Sequence, residues 1–355
     1  MTDATPQYSV KIEAMSSLQF KQVEQLLHRY STTESDFVTL HRLKQLYGPL
    51  QWVSQLLPQR WQFVPSVFIA RTKNQVLGVL WLHRDGHHPH RWRIEQLILD
   101  PEHSSMEVGK LLVEYVVNQY GASGVEQFTT DVPHHHEDAQ AILKEAGFRQ
   151  IGRAHVFRYE PGSEALKNAD PVSIIGLREF RGRDAQSVHT LQIDSLPTTC
   201  RLYLDRHAKD FKQSFIRKCQ CQIEGVFYKQ WVIEHHHSDF LKGYISIFTH
   251  NYKHFSIQLI ISPGWEDGFK PALQFLLERI SQQSSSPVIT NRSYGFHDYQ
   301  HASLEELGFI RQHENLVLAK DYWTPLQGNT PLKAATPLLL LDGAATTPCV
   351  KMTNG

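Results

Sequence analysis

The segments His136 to Phe148, HEDAQAILKEAGF, and His297 to Phe309, HDYQHASLEELGF, agree at six of thirteen positions, where average residue usage gives about one coincidence. The shared residues are His136/His297, Ala141/Ala302, Leu143/Leu304, Glu145/Glu306, Gly147/Gly308 and Phe148/Phe309. LILDP ending at Pro101 and LIISP ending at Pro263 agree in the same way, and the two windows are offset by 161 and 162 residues. Self-similarity at one offset means one folding unit built twice. The 355 residues of the chain suit two domains of about 150 each.

Each proline follows a strand-like apolar run, 93–99 or 255–261, and precedes a helical pattern. Val108, Leu111, Leu112, Tyr115 and Val116 set the helical spacing in the first copy, and Phe269, Leu273, Leu276, Leu277 and Ile280 in the second. Upstream lie two further strands per copy, 67–72 with 76–84 and 225–234 with 241–250. Downstream come a strand, a helix closing at Gly-Phe, and a last strand at 154–159 or 315–319. The order β-α-α-β-β-β-α-β-α-β is a mixed-sheet α/β (α+β) fold. Residues 161–171, PGSEALKNADP, have linker composition. This divides the chain into 8–160, 172–322 and a Thr/Pro/Ala/Gly-rich tail, 323–355, with no periodicity.

Charge excludes some functions. Thirty-six Lys and Arg balance 36 Asp and Glu, so no bulk positive field is available for nucleic acid or an anionic membrane. The longest aliphatic run is Leu338 to Leu341, and a spanning helix needs about 20 apolar residues. Cys200, Cys219, Cys221 and Cys349 form no CxxC pair, which fits small apolar residues in a reducing compartment. A cytoplasmic protein that binds neither membrane nor nucleic acid is expected. The 21 histidines include HHPH at 87–90, HHH at 134–136 and HHH at 235–237. Adjacent imidazoles do not make a tetrahedral ligand set, so no metal is expected.

The string from Ile94, IEQLILDPEHSSMEVGKLLVEYV, with the later AILKEAGF, resembles the central strand-loop-helix and closing helix of the GCN5-related N-acetyltransferase (GNAT) superfamily. The resemblance covers about residues 8–160 and, more faintly, 172–322, so it implies two fused acyl-CoA N-acyltransferase-like domains. It implies acetyl-CoA held by Leu97, Ile98, Leu99, Ser104, Ser105, Val108, Gly109 and Lys110. Main-chain amides at a helix N-terminus suit a pyrophosphate. The family's leading Arg/Gln falls on Ser104, its first Gly on Glu107 and its last Gly on Gly109. Glu107 brings a carboxylate into the first turn, which Lys110 would partly offset. In the second copy the loop reads SPGWEDGFKP, with Glu266 and Asp267 acidic, and no pyrophosphate is expected there.

The resemblance also implies an amine acceptor and a general base, which falls on Glu95. The residue 162 further on is Ile257. The family's acid, a Tyr, falls on Leu143 or Leu304. His136 takes the place of an Asn near the cofactor, where an imidazole could carry a proton. Phe37, Tyr47, Trp52, Trp61 and Phe63 lie in the stretch that caps the acceptor site in the family. Two functions remain open: an N-acyltransferase working through its first domain, and a non-catalytic module that assembles with a protein partner.

Overall fold

The computed structural model describes residues 10–16, 19–30, 66–73, 75–102, 106–159, 173–212, 227–235, 240–249 and 252–323. Ser104, Ser105, the aromatic residues of 31–63, the 161–171 linker and the tail beyond 323 lie outside them. The first unit contains β1 (Lys11–Ala14), α1 (Phe20–Tyr30), β2 (Ser66–Arg71), β3 (Val76–Arg84), β4 (Arg91–Leu99), α2 (Met106–Ala122), β5 (Gln127–Pro133), α3 (Glu137–Glu145) and β6 (Arg149–Tyr159). The second contains β7 (Leu177–Glu179), α4 (Ala185–Ser195), α5 (Thr198–Leu204), α6 (Ala208–Phe211), β8 (Phe227–Glu234), β9 (Leu241–Thr249), β10 (His254–Ile261), α7 (Phe269–Ser281), β11 (Val288–Tyr294), α8 (Asp298–Glu306) and β12 (Ile310–Asp321).

The repeated Gly-Phe is a helix stop. Gly147 and Gly308 have φ of 87° and 85°, a left-handed conformation that glycine adopts without a Cβ penalty. Phe148 N then donates to Leu143 O and Phe309 N to Leu304 O, the Schellman closure of a helix end. Both phenylalanines sink into the core.

The two units share one twelve-stranded sheet, ordered β1-β2-β3-β4-β5-β12-β6-β11-β10-β9-β8-β7. The last strands are exchanged: β12 pairs with β5 over Asn315–Asp321, and β6 pairs with β11 over Ala154–Tyr159. The exchanged strands pair with each other at the centre. Leu316 and Leu318 join the core under α2 and α3, whereas Val317 and Ala319 join a cluster with Cys200 and Tyr203 of α5. Along β6, Phe157 and Tyr159 belong to the core of α7 and α8, and Ala154 to the α5 cluster. One face of the sheet thus carries α2, α3, α7 and α8, and the other carries α1 and α4 to α6.

The 87–90 histidine bunch occupies the β3–β4 turn, as its composition suggests, and this turn docks on the other unit. His87 N donates to Asp210 Oδ1 at 2.9 Å, and His88 Nε2 lies 3.1 Å from Asp205 O. Buried Arg91 pairs with Asp85 at 2.6 Å and with Asp205 at 2.7 Å. Among the described residues no group of three His, Cys, Asp or Glu side chains could hold a metal, and no helix is long and apolar enough to cross a membrane.

Candidate active site

The site begins where two parallel strands part. Strand β4 pairs with β5 from Arg91 to Ile94, so Glu95–Leu99 run on with β3 as their single strand neighbour among the described residues. In the second unit β10 leaves β11 after Ile257 in the same way. The two openings differ by one residue. Trp81 faces Gln96 and Leu82 faces Ile94, so Glu95 is the extra residue of a β-bulge, whereas β10 pairs with β9 without interruption. By register Ile94, not Glu95, is the counterpart of Ile257. The constant offset of 162 is therefore corrected: Glu95 stands at an insertion and has no counterpart. Alternation from Ile94 of the α2 core puts Glu95 on the α1 face, and the bulge shifts the alternation of the residues after it, so that Leu97 and Leu99 return to the α2 face.

Glu95 Oε2 lies 2.6 Å from His83 Nε2 on β3. The other ring nitrogen of His83 is 2.8 Å from Arg84 O. Burial lowers the His83 pKa, but the hydrogen bond and charge of Glu95 outweigh it and leave the imidazole above its ordinary value. Beside this pair, at the vertex of the opening, Asp131 Oδ2 meets Arg93 at 2.6 Å and Arg292 of the second unit at 2.7 Å. Burial pushes the Asp131 carboxyl up, and the two guanidiniums outweigh it and hold it below the usual carboxylate range.

The residues expected around a cofactor divide. Leu97 and Leu99 pack toward the α2 core and Ile98 toward the α1 core, which leaves the β4 main chain, not these side chains, to line the opening. Val108 is buried in the α2 core. A Cβ on Gly109 would lie 2.7 Å from both Ile142 Cδ1 and Leu99 Cδ1, so this glycine lets α2 approach α3 and β4. Lys110 Nζ pairs with Glu145 at 3.4 Å. Asp100 closes the strand end by accepting from Glu102 N at 3.0 Å and from Gln75 at 2.9 Å.

Exposed His136 begins α3 without a side-chain cap, its ring 4.3 Å from that of His135. His297 begins α8 equivalently, but its Nε2 is 3.1 Å from Ser195 O. Leu143 and Leu304 are buried core residues, so no acid stands at either position. In the second unit the turn before α7 uses its own amides: Gly264 N donates to Glu266 Oε1 at 2.8 Å, Trp265 N to Ser262 O and Gly268 N to Trp265 O. The main-chain amides of Gly264 and of Glu266 itself draw the Glu266 pKa below its ordinary value. A side-chain carboxylate thus occupies the amide turn that precedes α7, at the place that the segment before α2 takes in the first unit.

His83, Arg93, Asp131 and Arg292 were not reached from the sequence. His83, where the apolar run of β3 gives way to His-Arg, was the one available signal, and the pairing of Asp131 with Arg292 depends on sheet topology.

Residues 37–148 match the model of the acetyltransferase (GNAT) family. No curated protein matches the chain. The fold is similar to that of a tandem GNAT protein from the clavulanic acid biosynthesis pathway, with a TM-score of 0.55 and 15% identity over 89% of this chain and 99% of that one. It is equally similar to a GCN5-related N-acetyltransferase from Sphaerobacter thermophilus, with a TM-score of 0.55 and 11% identity over 89% and 96% of the two chains. At such identities the likeness is one of fold. With the parted strands, the strand-loop-helix and the doubled sheet in place, residues 37–148 carry the likeness to the GNAT family, and the chain as a whole has the fold of a tandem GNAT protein.

Proposed function

We propose that the first unit transfers an acyl group, with acetyl as the leading candidate, from coenzyme A to an amine. The observation that carries this reading is the bulged opening of β4, present in the first unit and lacking in the second, with a carboxylate at the bulge. The stretch of β4 beyond its pairing with β5 at Ile94 fits an extended amide-bearing ligand, which hydrogen-bonds to a strand as another strand would. Ser104, Ser105 and the amides leading to Val108, Gly109 and Lys110 are the groups for the diphosphate.

The acyl-CoA thioester supplies a carbonyl carbon that a neutral amine attacks, so that a C–N bond forms, the C–S bond breaks and the thiolate departs. Glu95 takes the amine proton through one water, a role worth about 10²- to 10⁴-fold in rate. No acid is required of Leu143, because a thiol with a pKa near 8.5 leaves readily. His136, at the start of α3, is the second group offered for proton transfer.

A rival reading, a non-catalytic module that binds a protein, draws on Gly109 and Lys110, both engaged in holding α2 to α3. Thermal denaturation with acetyl-CoA separates the two. Ligand at 100 times its Kd adds about 2.7 kcal/mol to stability, and a midpoint unmoved by millimolar acetyl-CoA would remove the enzyme reading. Where binding is found, Glu95→Gln should lower kcat and spare acetyl-CoA affinity.

A further inference from the structure

We infer that His83 is a positioning residue for the Glu95 carboxylate, so that the base of the first unit works as a Glu95–His83 pair. This rests on the acyltransferase reading of Glu95, but the pair stands on its own geometry. The carbonyl of Arg84, 2.8 Å from Nδ1, only accepts, so Nδ1 carries a hydrogen. A neutral ring protonated there would turn a lone pair on Nε2 toward the Glu95 carboxylate at 2.6 Å, oxygen and nitrogen both as acceptors. One further proton must lie between them. Since an imidazole is ordinarily the stronger base, with a pKa near 6.5 against about 4.3 for Glu, that proton belongs to His83 and Glu95 is ionised.

The second unit sharpens the assignment. By register Leu82 corresponds to Ile247 and His83 to Phe248, while Glu95 has no counterpart. Both members of the pair are missing together from the unit whose turn before α7 is filled by Glu266. The charged groups that face His83 are Glu95 and Arg93, both on β4. Arg93 is itself tied to Asp131, which leaves Glu95 as the partner in contact. An imidazolium in contact with one oxygen fixes the orientation of the carboxylate and favours its ionised form.

Two measurements on the full chain test this. In NMR titrations His83 should titrate above its ordinary value and fall to or below it in Glu95→Gln; an unchanged His83 midpoint in that variant overturns the pair. In acyl transfer from acetyl-CoA to butylamine, His83→Gln keeps a donor without the charge. The acidic limb of its kcat/KM profile should move up by about half a pH unit, the scale of a partly exposed ion pair, with the KM for acetyl-CoA unchanged. A limb that stays in place in both His83→Gln and His83→Phe overturns the positioning role. Absence of any transfer by the unaltered chain would instead sink the acyltransferase reading, and the NMR comparison would still decide whether the pair exists.

Discussion

Asp131 and Arg292 occupy the same position in the two units, 161 residues apart, and pair with each other at 2.7 Å. Arg153 and Glu314, also 161 apart, pair at 3.0 Å. Register places the first pair on the α1/α5 face, since Asp131 lies opposite Val317 and Arg292 opposite Val156. The second pair lies on the other face, with Arg153 opposite Leu316 and Glu314 opposite His155. A two-fold axis carries each position onto its equivalent. In a homodimer of either unit these contacts would join Asp to Asp or Arg to Arg. Opposite charges at equivalent positions favour pairing of the two different units.

Reversing one charge should therefore cost more than removing it. Asp131→Arg would gather three guanidiniums, its own with those of Arg93 and Arg292, and urea denaturation should show a larger loss of stability than Asp131→Asn, where removing one partner of a buried pair costs up to about 3 to 5 kcal/mol. The swap Asp131→Arg with Arg292→Asp should recover part of it. A double-mutant cycle with no coupling would show that the contact contributes nothing.

Strand exchange has its own consequence. A chain ending at Gly308 lacks β12, which leaves the β5 edge and one side of β6 unpaired, and open strand edges recruit other chains. Size-exclusion chromatography should show association or aggregation; a well-folded monomer would mean that each unit closes its own sheet.

Gly109→Ala puts a methyl 2.7 Å from Ile142 and Leu99, contacts that the α2–α3 packing must yield to accommodate. Overpacking of this kind costs about 1 to 3 kcal/mol. Chemical denaturation measures it, and an unchanged midpoint would mean that α2 shifts freely.

Stability should fall on both sides of a mildly acidic range. The Asp131 pKa is lowered from 3.8, so its contribution is full above 3.8 and is lost as pH falls through the depressed folded value. The His83 pKa is raised from 6.5, so its contribution is full below 6.5 and is lost as pH rises through the raised folded value. Urea midpoints across pH should flatten on the alkaline side in Glu95→Gln and on the acid side in Asp131→Asn. Profiles that match the unaltered protein on those sides would contradict both assignments.

Much of this was legible in the chain. The Gly-Phe stops, the strand runs and the strand-loop-helix at Pro101 are written in local patterns, because turn chemistry and hydrophobic period act over a few residues. The acidic turn before α7 was also readable, since Glu266 lies two residues from the amide it occupies. Glu95 was found through its strand, but its bulge was not, because one inserted residue leaves the apolar pattern of β4 almost unchanged.

The tertiary structure decided the rest. Strands β6 and β12 both close a unit in the repeat, and nothing in either strand's own residues says whether it lies beside β5 or β11; the whole sheet selects the exchange. That choice brings Arg292 of one unit to Asp131 of the other and seats the 87–90 histidine turn on Asp205 and Asp210. Contacts between residues more than a hundred positions apart leave no period or spacing in a single sequence, so their partners emerge only when the sheet is closed.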